Sequence, residues 1–135
     1  MAYAGDLTPA QAAELLAGDP QAVLVDVRTR AEWAYVGVPQ PVGPRPVVTV
    51  EWLTYPSGAP NPGFLTELAA AGVTPDAPVV FLCRSGVRSV AAADAATAAG
   101  YDRAYNVLEG FEGPLDGDGH RTGGWRGAGL PWRQS

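Results

Sequence analysis

Cys83 is the one cysteine of this chain, and it stands where the apolar run Val79-Val80-Phe81-Leu82 gives way to Arg84-Ser85-Gly86-Val87-Arg88-Ser89. A thiol attacks as its thiolate, and free cysteine titrates near ~8.5. Two devices lower that value in proteins: neighbouring cations, and N–H groups converging at a turn or a helix N-terminus. Both are written here. Arg84 and Arg88 lie in the same loop, and the alanine-rich stretch Val90 to Ala99 reads as a helix directly behind it. Gly86 gives the turn a position without a Cβ, so the backbone bends without a clash. The competing reading is an inert buried cysteine, since unpaired Cys is among the most buried residue types. Two nearby guanidinium groups oppose it, because charged side chains avoid apolar cores. The expected chemistry is nucleophilic, with Cys83 attacking while loop amides and arginines receive negative charge.

The surrounding elements are marked by local signals. Thr8-Pro9-Ala10-Gln11 reads as a helix start, with Thr8 as N-cap, Pro9 in the first helical position and Gln11 completing a capping box. Leu15 and Leu16 form its apolar face and Gly18 ends it. Val23 to Val27 is a β-branched run expected to be a strand buried on both faces, with Asp26 near its carboxyl end. Thr29 to Trp33 reads as a helical turn capped by Thr29, with Glu32 in the third position. Val36 to Pro60 is rich in Pro and Gly, with a short strand expected over Val47 to Trp52. Asn61-Pro62 repeats the cap-and-proline signal for a helix through Phe64, Leu65 and Leu68 to Gly72. Pro78 to Leu82 and Ala104 to Leu108 are the remaining strands, and a Gly-rich tail carries Trp125 and Trp132. Strands alternating with helices indicate a parallel α/β sheet, whose ligands bind beyond the carboxyl ends of the strands. Asp26 and Cys83 both fall there.

Bulk composition narrows the function. At 135 residues and 47% hydrophobic, the chain is expected to form one domain with one substantial core. The net charge is −5, and all nine basic residues are arginines. That balance gives no footprint for nucleic acid or for an anionic membrane surface. A single cysteine excludes an internal disulfide and a multi-cysteine metal site. Met-Ala-Tyr-Ala-Gly-Asp has no basic start and no apolar run, so no secretory signal is expected, and a cytoplasmic location follows as the expectation.

The loop from Cys83 to Arg88 has a Cys-x4-Arg spacing, one residue shorter than the Cys-x5-Arg of protein tyrosine phosphatases. A smaller ring of amides leaves less room for a tetrahedral phosphate but still surrounds one sulfur atom on Sγ. The loop resembles that of the rhodanese family of sulfurtransferases, in particular single-domain members with a Cys-x-x-Gly-x-Arg-Ser pattern. Other segments follow in the family's order. Asp26-Val27-Arg28 with Glu32-Trp33 is similar to its early Asp-x-Arg and Glu-aromatic segment, and Gly37-Val38-Pro39 to its Gly-x-x-Pro region. Asn106-Val107-Leu108-Glu109-Gly110-Phe111 resembles its Asn-Val-x-Gly-Gly-aromatic strand and turn, and Ala128-Gly129-Leu130-Pro131 its closing motif.

The resemblance implies a three-layer α/β fold, a central parallel sheet with helices on both faces. It implies a single domain over residues 1–135, and two segments, at about 40–60 and 113–125, are longer than the family's usual pattern. It also implies a thiosulfate sulfurtransferase that works through a Cys83 persulfide. Arg84, Ser85, Gly86, Val87, Arg88 and Ser89 would bind the substrate, supported by Asp26 and Arg28. No cofactor and no metal are implied. The partners would be a small-molecule sulfur donor and an external thiol or protein acceptor, since no second cysteine is present to resolve the persulfide. Loops of the mercaptopyruvate type carry Gly after the cysteine and end in Thr, so Arg84 and Arg88 favour thiosulfate.

Several residues have plainer readings. Asp26 either orients the loop or is a satisfied structural carboxylate. Arg28 and Glu32, four apart, are expected to form a local ion pair. His120 reads as a solvated loop residue, and Asp116 and Asp118 lack the downstream Glu of a calcium loop. The tryptophans read as core and lid packing, with Trp52 or Trp125 as candidate pocket walls. Long loops near strand ends are often lids or partner surfaces. Two other functional classes remain: a persulfide carrier or partner-binding module with negligible small-molecule turnover, and a phosphatase or arsenate reductase. The short loop and the missing resolving cysteine oppose the last.

Overall fold

The computed structural model describes residues 2–134. Five strands form one parallel sheet: β1 (Gly5–Leu7), β2 (Val23–Asp26), β4 (Val48–Thr49), β5 (Val79–Leu82) and β6 (Ala104–Val107), in the spatial order β1-β6-β5-β2-β4. A two-stranded antiparallel ribbon pairs β3 (Val38–Pro39) with β7 (Trp132–Arg133). The helices are α1 (Pro9–Gly18), α2 (Arg30–Tyr35), α3 (Phe64–Ala70), α4 (Val87–Ala98) and α5 (Gly124–Gly127). All four residues of β2 and of β5 are buried, as their apolar runs predict for strands covered on both faces.

Strand alternation divides the core in two. Val23, Val25, Val79, Phe81 and Cys83 face one side, where Phe64 and Leu68 of α3 and Ala92, Ala93 and Ala96 of α4 cover them. Leu24, Val80, Leu82 and Val107 face the other, against Ala12 and Leu16 of α1, with Phe111 and Trp125. Small alanines let α4 lie close on the sheet. The expected three-layer arrangement is therefore the one observed.

The helix starts at Thr8 and Thr29 carry both capping-box hydrogen bonds, with Gln11 and Glu32 reaching back to the cap N–H. Three expected elements differ. The helix after the cysteine begins at Val87 rather than Val90, because Gly86 at φ 112° turns the chain directly into it. Asn61 is not the cap of α3: Gly63 is, while Asn61 accepts the Gly63 N–H and donates to Glu51 O and Glu67 Oε2. The strand expected over Val47 to Trp52 contracts to Val48–Thr49, at the sheet edge. β1 and the β3–β7 ribbon carry no period that a sequence reading isolates, since each spans three residues or fewer.

Candidate active site

β5 lies in the middle of the sheet, and its register with β2 sets Leu82 beside Asp26. Cys83 follows at the carboxyl edge, only 1% exposed. Two groups meet its sulfur. The Gly86 N–H donates to Sγ at 3.1 Å, and Ser89 Oγ lies 3.2 Å away. Gly86 is also the residue preceding α4, so the amide that reaches the sulfur belongs to the turn opening that helix.

The turn after β6 holds the loop from outside. Phe111 N–H donates to the Cys83 carbonyl at 2.7 Å, and Glu112 N–H to the Arg84 carbonyl at 3.0 Å. Both carbonyls are thereby held toward residues 111 and 112. This packing requires Gly110. Its φ is 58°, and a Cβ there would overlap the Cys83 carbonyl oxygen and the Arg84 carbonyl group.

The arginines are placed differently from their sequence spacing. Arg88 makes a fork-to-fork pair with Glu32, at 2.7 and 2.9 Å, joining α4 to α2. Desolvation pushes the Glu32 carboxyl upward, but the hydrogen bonds and charge of Arg88, aided by Thr29, outweigh it and hold its pKa below the usual carboxylate value. The Glu32 hydrogen bond raises the Arg88 pKa against desolvation; the charges of Glu32, Cys83 and Asp26 act in the same direction. Arg84 has a half-exposed side chain, and its Nε stands 3.4 Å from Glu112 Oε2.

The expected Arg28–Glu32 pair does not form. Arg28 precedes the cap of α2, so the four-residue helical spacing does not apply, and its side chain turns into the core. It is fully buried against Asp26, donating from Nε and Nη2 to the carboxylate and from Nη2 to Gly37 O. Its guanidinium also lies over the Phe111 ring at 4.2 Å. Asp26 is thus the satisfied structural carboxylate of the two readings. Arg28 supports the loop indirectly, through the Phe111 that holds the Cys83 carbonyl.

Of the remaining loop residues, Ser85 is half-buried and Val87 is 77% exposed beside the cysteine. Ser89 is completely buried behind the sulfur, where it contacts Sγ but is not open to solvent. Its hydroxyl donates to Asn106 Oδ1 at 2.6 Å, and Asn106 Nδ2 donates to Asp6 Oδ1 at 3.0 Å. Spacing alone did not identify Asp6, Asn106 or the Arg88–Glu32 contact, because each partner comes from a distant element. His120 is exposed in a turn closed by Asp116 Oδ1, which accepts the N–H groups of Asp118 and His120. Trp52 packs edge-on to Phe64 at 5.0 Å, and Trp125 is fully buried, so both serve packing. No described helix is long and apolar enough to cross a membrane.

A central parallel sheet with a cysteine loop between β5 and α4 defines a class of α/β proteins, and sequence comparison places the chain within it. Residues 8–114 match the rhodanese-like domain, and the chain belongs to that family. The crystal structure of Rv0390 from M. tuberculosis is 56% identical, covers 99% of this chain and 100% of its own, and superposes with a TM-score of 0.88. The solution structure of the polysulfide-sulfur transferase homodimer from Wolinella succinogenes is 25% identical, with a TM-score of 0.66 over 96% of this chain and 78% of its own. The uncharacterised protein RC0915 of Rickettsia conorii is 36% identical over 91% of this chain and 92% of its own length.

Proposed function

We propose that this protein is a sulfurtransferase that takes sulfane sulfur from thiosulfate, or a similar donor, and passes it to a thiophilic acceptor through a persulfide on Cys83. The observation that carries this reading is the Gly86 amide aimed at Sγ from a six-residue loop at the carboxyl edge of the sheet. The Cys83 thiolate attacks the outer sulfur of thiosulfate, a new S–S bond forms, and sulfite leaves with the electrons of the broken one. The product is a persulfide anion on Cys83. An acceptor then attacks the outer sulfur and restores the thiolate; with cyanide the product is thiocyanate. Splitting one transfer into two displacements lowers the barrier of each. The small loop favours sulfur over a phosphoryl group.

Arg84 is the arginine best placed to meet the sulfonate, because half of its side chain is exposed while Arg88 is engaged by Glu32. Ser85, Gly86 and Val87 complete the loop around the incoming donor, and Arg88 fixes the start of α4. Partners in this reading are a small-molecule donor and an external thiol or protein acceptor, with no cofactor.

The test is an intact mass of the purified protein before thiosulfate, after it, and after cyanide. A gain of one sulfur atom that cyanide removes, absent in Cys83→Ser, is the expected result. No gain on a cysteine that still alkylates would overturn thiosulfate as donor and favour a carrier loaded by another protein.

A further inference from the structure

Behind the sulfur, a line of hydrogen bonds runs from Cys83 through buried Ser89 and Asn106 to exposed Asp6. Parallel pairing of β1 with β6 sets Asp6 directly beside Asn106. Tyr3 adds its hydroxyl, which donates to Asp6 Oδ1 at 2.7 Å. Each partner's donor inventory fixes the direction of the line. A carboxylate only accepts, so Asp6 takes the Nδ2 end of the Asn106 amide. Oδ1 is thereby turned toward Ser89, whose hydroxyl has a single proton to give. The 2.6 Å contact commits that proton to Asn106. What remains toward Sγ is a lone pair of Ser89 Oγ, which a thiol S–H can use and a thiolate cannot.

We infer that Asp6 and Asn106 are positioning residues that hold the Ser89 hydroxyl as an acceptor toward Cys83, opposing the Gly86 amide and making the free thiolate harder to form. The inference concerns the nucleophile of the sulfur-transfer reading above, but it does not depend on the identity of the donor. Once sulfur is bound, the negative charge lies on the outer atom and Sγ is neutral, so the Ser89 lone pair no longer opposes it. The relay therefore weighs on the empty thiolate and spares the loaded cysteine.

The charged groups on the surrounding elements are Arg84 and Arg88, Glu32 on α2, Asp26 and Arg28 at the end of β2, Glu109 and Glu112 after β6, and Arg126 on α5. Tyr3 and Asp94 lie at the Asp6 end. Removing Asp6 also removes a negative charge, which alone favours a thiolate, so the experiment must separate charge from relay.

The rate of Cys83 alkylation by iodoacetamide is measured against pH, with no sulfur donor present, for wild type, Asp6→Ala and Asn106→Ala. The same two changes are repeated in a Ser89→Ala background. Asn106→Ala releases the Ser89 proton to turn to Sγ, and Asp6→Ala does so by freeing the Asn106 amide to flip; in either single variant the midpoint moves about one pH unit lower, the scale of one hydrogen bond to a charged group. In the Ser89→Ala background Asn106→Ala does not move it and Asp6→Ala moves it only by the smaller charge effect, while Ser89→Ala alone moves it lower. Asp6 is exposed, so Asp6→Ala keeps the test open if Asn106→Ala fails to fold. An equal shift in both backgrounds would reduce Asp6 to a plain charge effect and overturn the relay. So would no shift when Ser89 is present, or a rise in Ser89→Ala. Because alkylation needs no donor, failure of sulfur loading leaves this result readable.

Discussion

At the scale of single residues, the two loop arginines separate into different roles. Charge-assisted hydrogen bonds are worth about 1.5–3 kcal/mol, so losing one to a sulfonate weakens binding roughly tenfold or more. Arg84→Ala is therefore expected to raise the thiosulfate KM by about that factor with little change in kcat; an unchanged KM in steady-state kinetics would remove Arg84 from the donor site. Arg88→Ala acts differently, because it strands a partly buried Glu32 carboxylate and loosens α2 from α4. Glu32 also sets a pH dependence. Its pKa lies below the ordinary 4.5, so the unfolded chain binds the proton more readily than the folded one. The resulting stabilisation is fully present above pH 4.5 and disappears as pH falls through the lower, folded value, while Arg88 stays protonated throughout. Glu32→Gln should be less stable than wild type at pH 7, with the gap closing as pH falls below 4.5 in denaturant titrations. A constant gap would mean that the Glu32 charge does not contribute. The Cys83 loop itself was legible from sequence, since strand, glycine turn and helix are contiguous there. The partners of Arg28 and Arg88 were not, because Arg88 reaches Glu32 on another helix while Arg28 turns into the core, back to Asp26 and on to Gly37 O, where helical spacing does not apply.

At the scale of elements, the loop depends on a turn that comes later in the chain. Capping boxes at Thr8 and Thr29, and the β-branched run of β2, specify their elements locally, which is why sequence located them. The short strand β1 takes its conformation from pairing with β6 and no local pattern announces it, and β4 keeps only two of its six expected residues, those paired with β2. Gly110 belongs to the second kind: its importance lies in approach, not propensity. In Gly110→Ala, the left-handed φ and the overlap with the Cys83 and Arg84 carbonyls act together. Backbone strain of this type costs about 1–3 kcal/mol. The variant is expected to lose at least that much stability and, since the turn must withdraw, to lose sulfur loading even when folded at low temperature. Native stability with full loading would show that the 109–112 turn does not shape the loop.

At the scale of the whole molecule, the core extends past the segment that the family defines. The rhodanese-like match ends at residue 114, yet Trp125 is the largest fully buried side chain among the described residues. It packs with Leu82, Val107 and Phe111, and its Nε1 donates to Pro131 O at 2.8 Å. Phe111 in turn holds the Cys83 carbonyl and lies against Arg28 and Trp132. The closing stretch therefore supports the reactive loop from the face opposite α4. Between the two lies an exposed segment, residues 114–120, tied off by the Leu115–Arg121 bridge and its own Asp116 turn. Two changes separated by a few residues should thus differ sharply. Trp125→Ala is expected to cost about 3–5 kcal/mol, as for other buried aromatics, and a chain ending at residue 114 should not unfold cooperatively. Replacing residues 116–120 with a short glycine link should change stability by less than about 0.5 kcal/mol and leave loading by thiosulfate intact. Thermal melts of the three proteins decide it: a stable chain ending at 114 would make Trp125 an accessory, and a destabilised 116–120 variant would make the exposed segment part of the core's support.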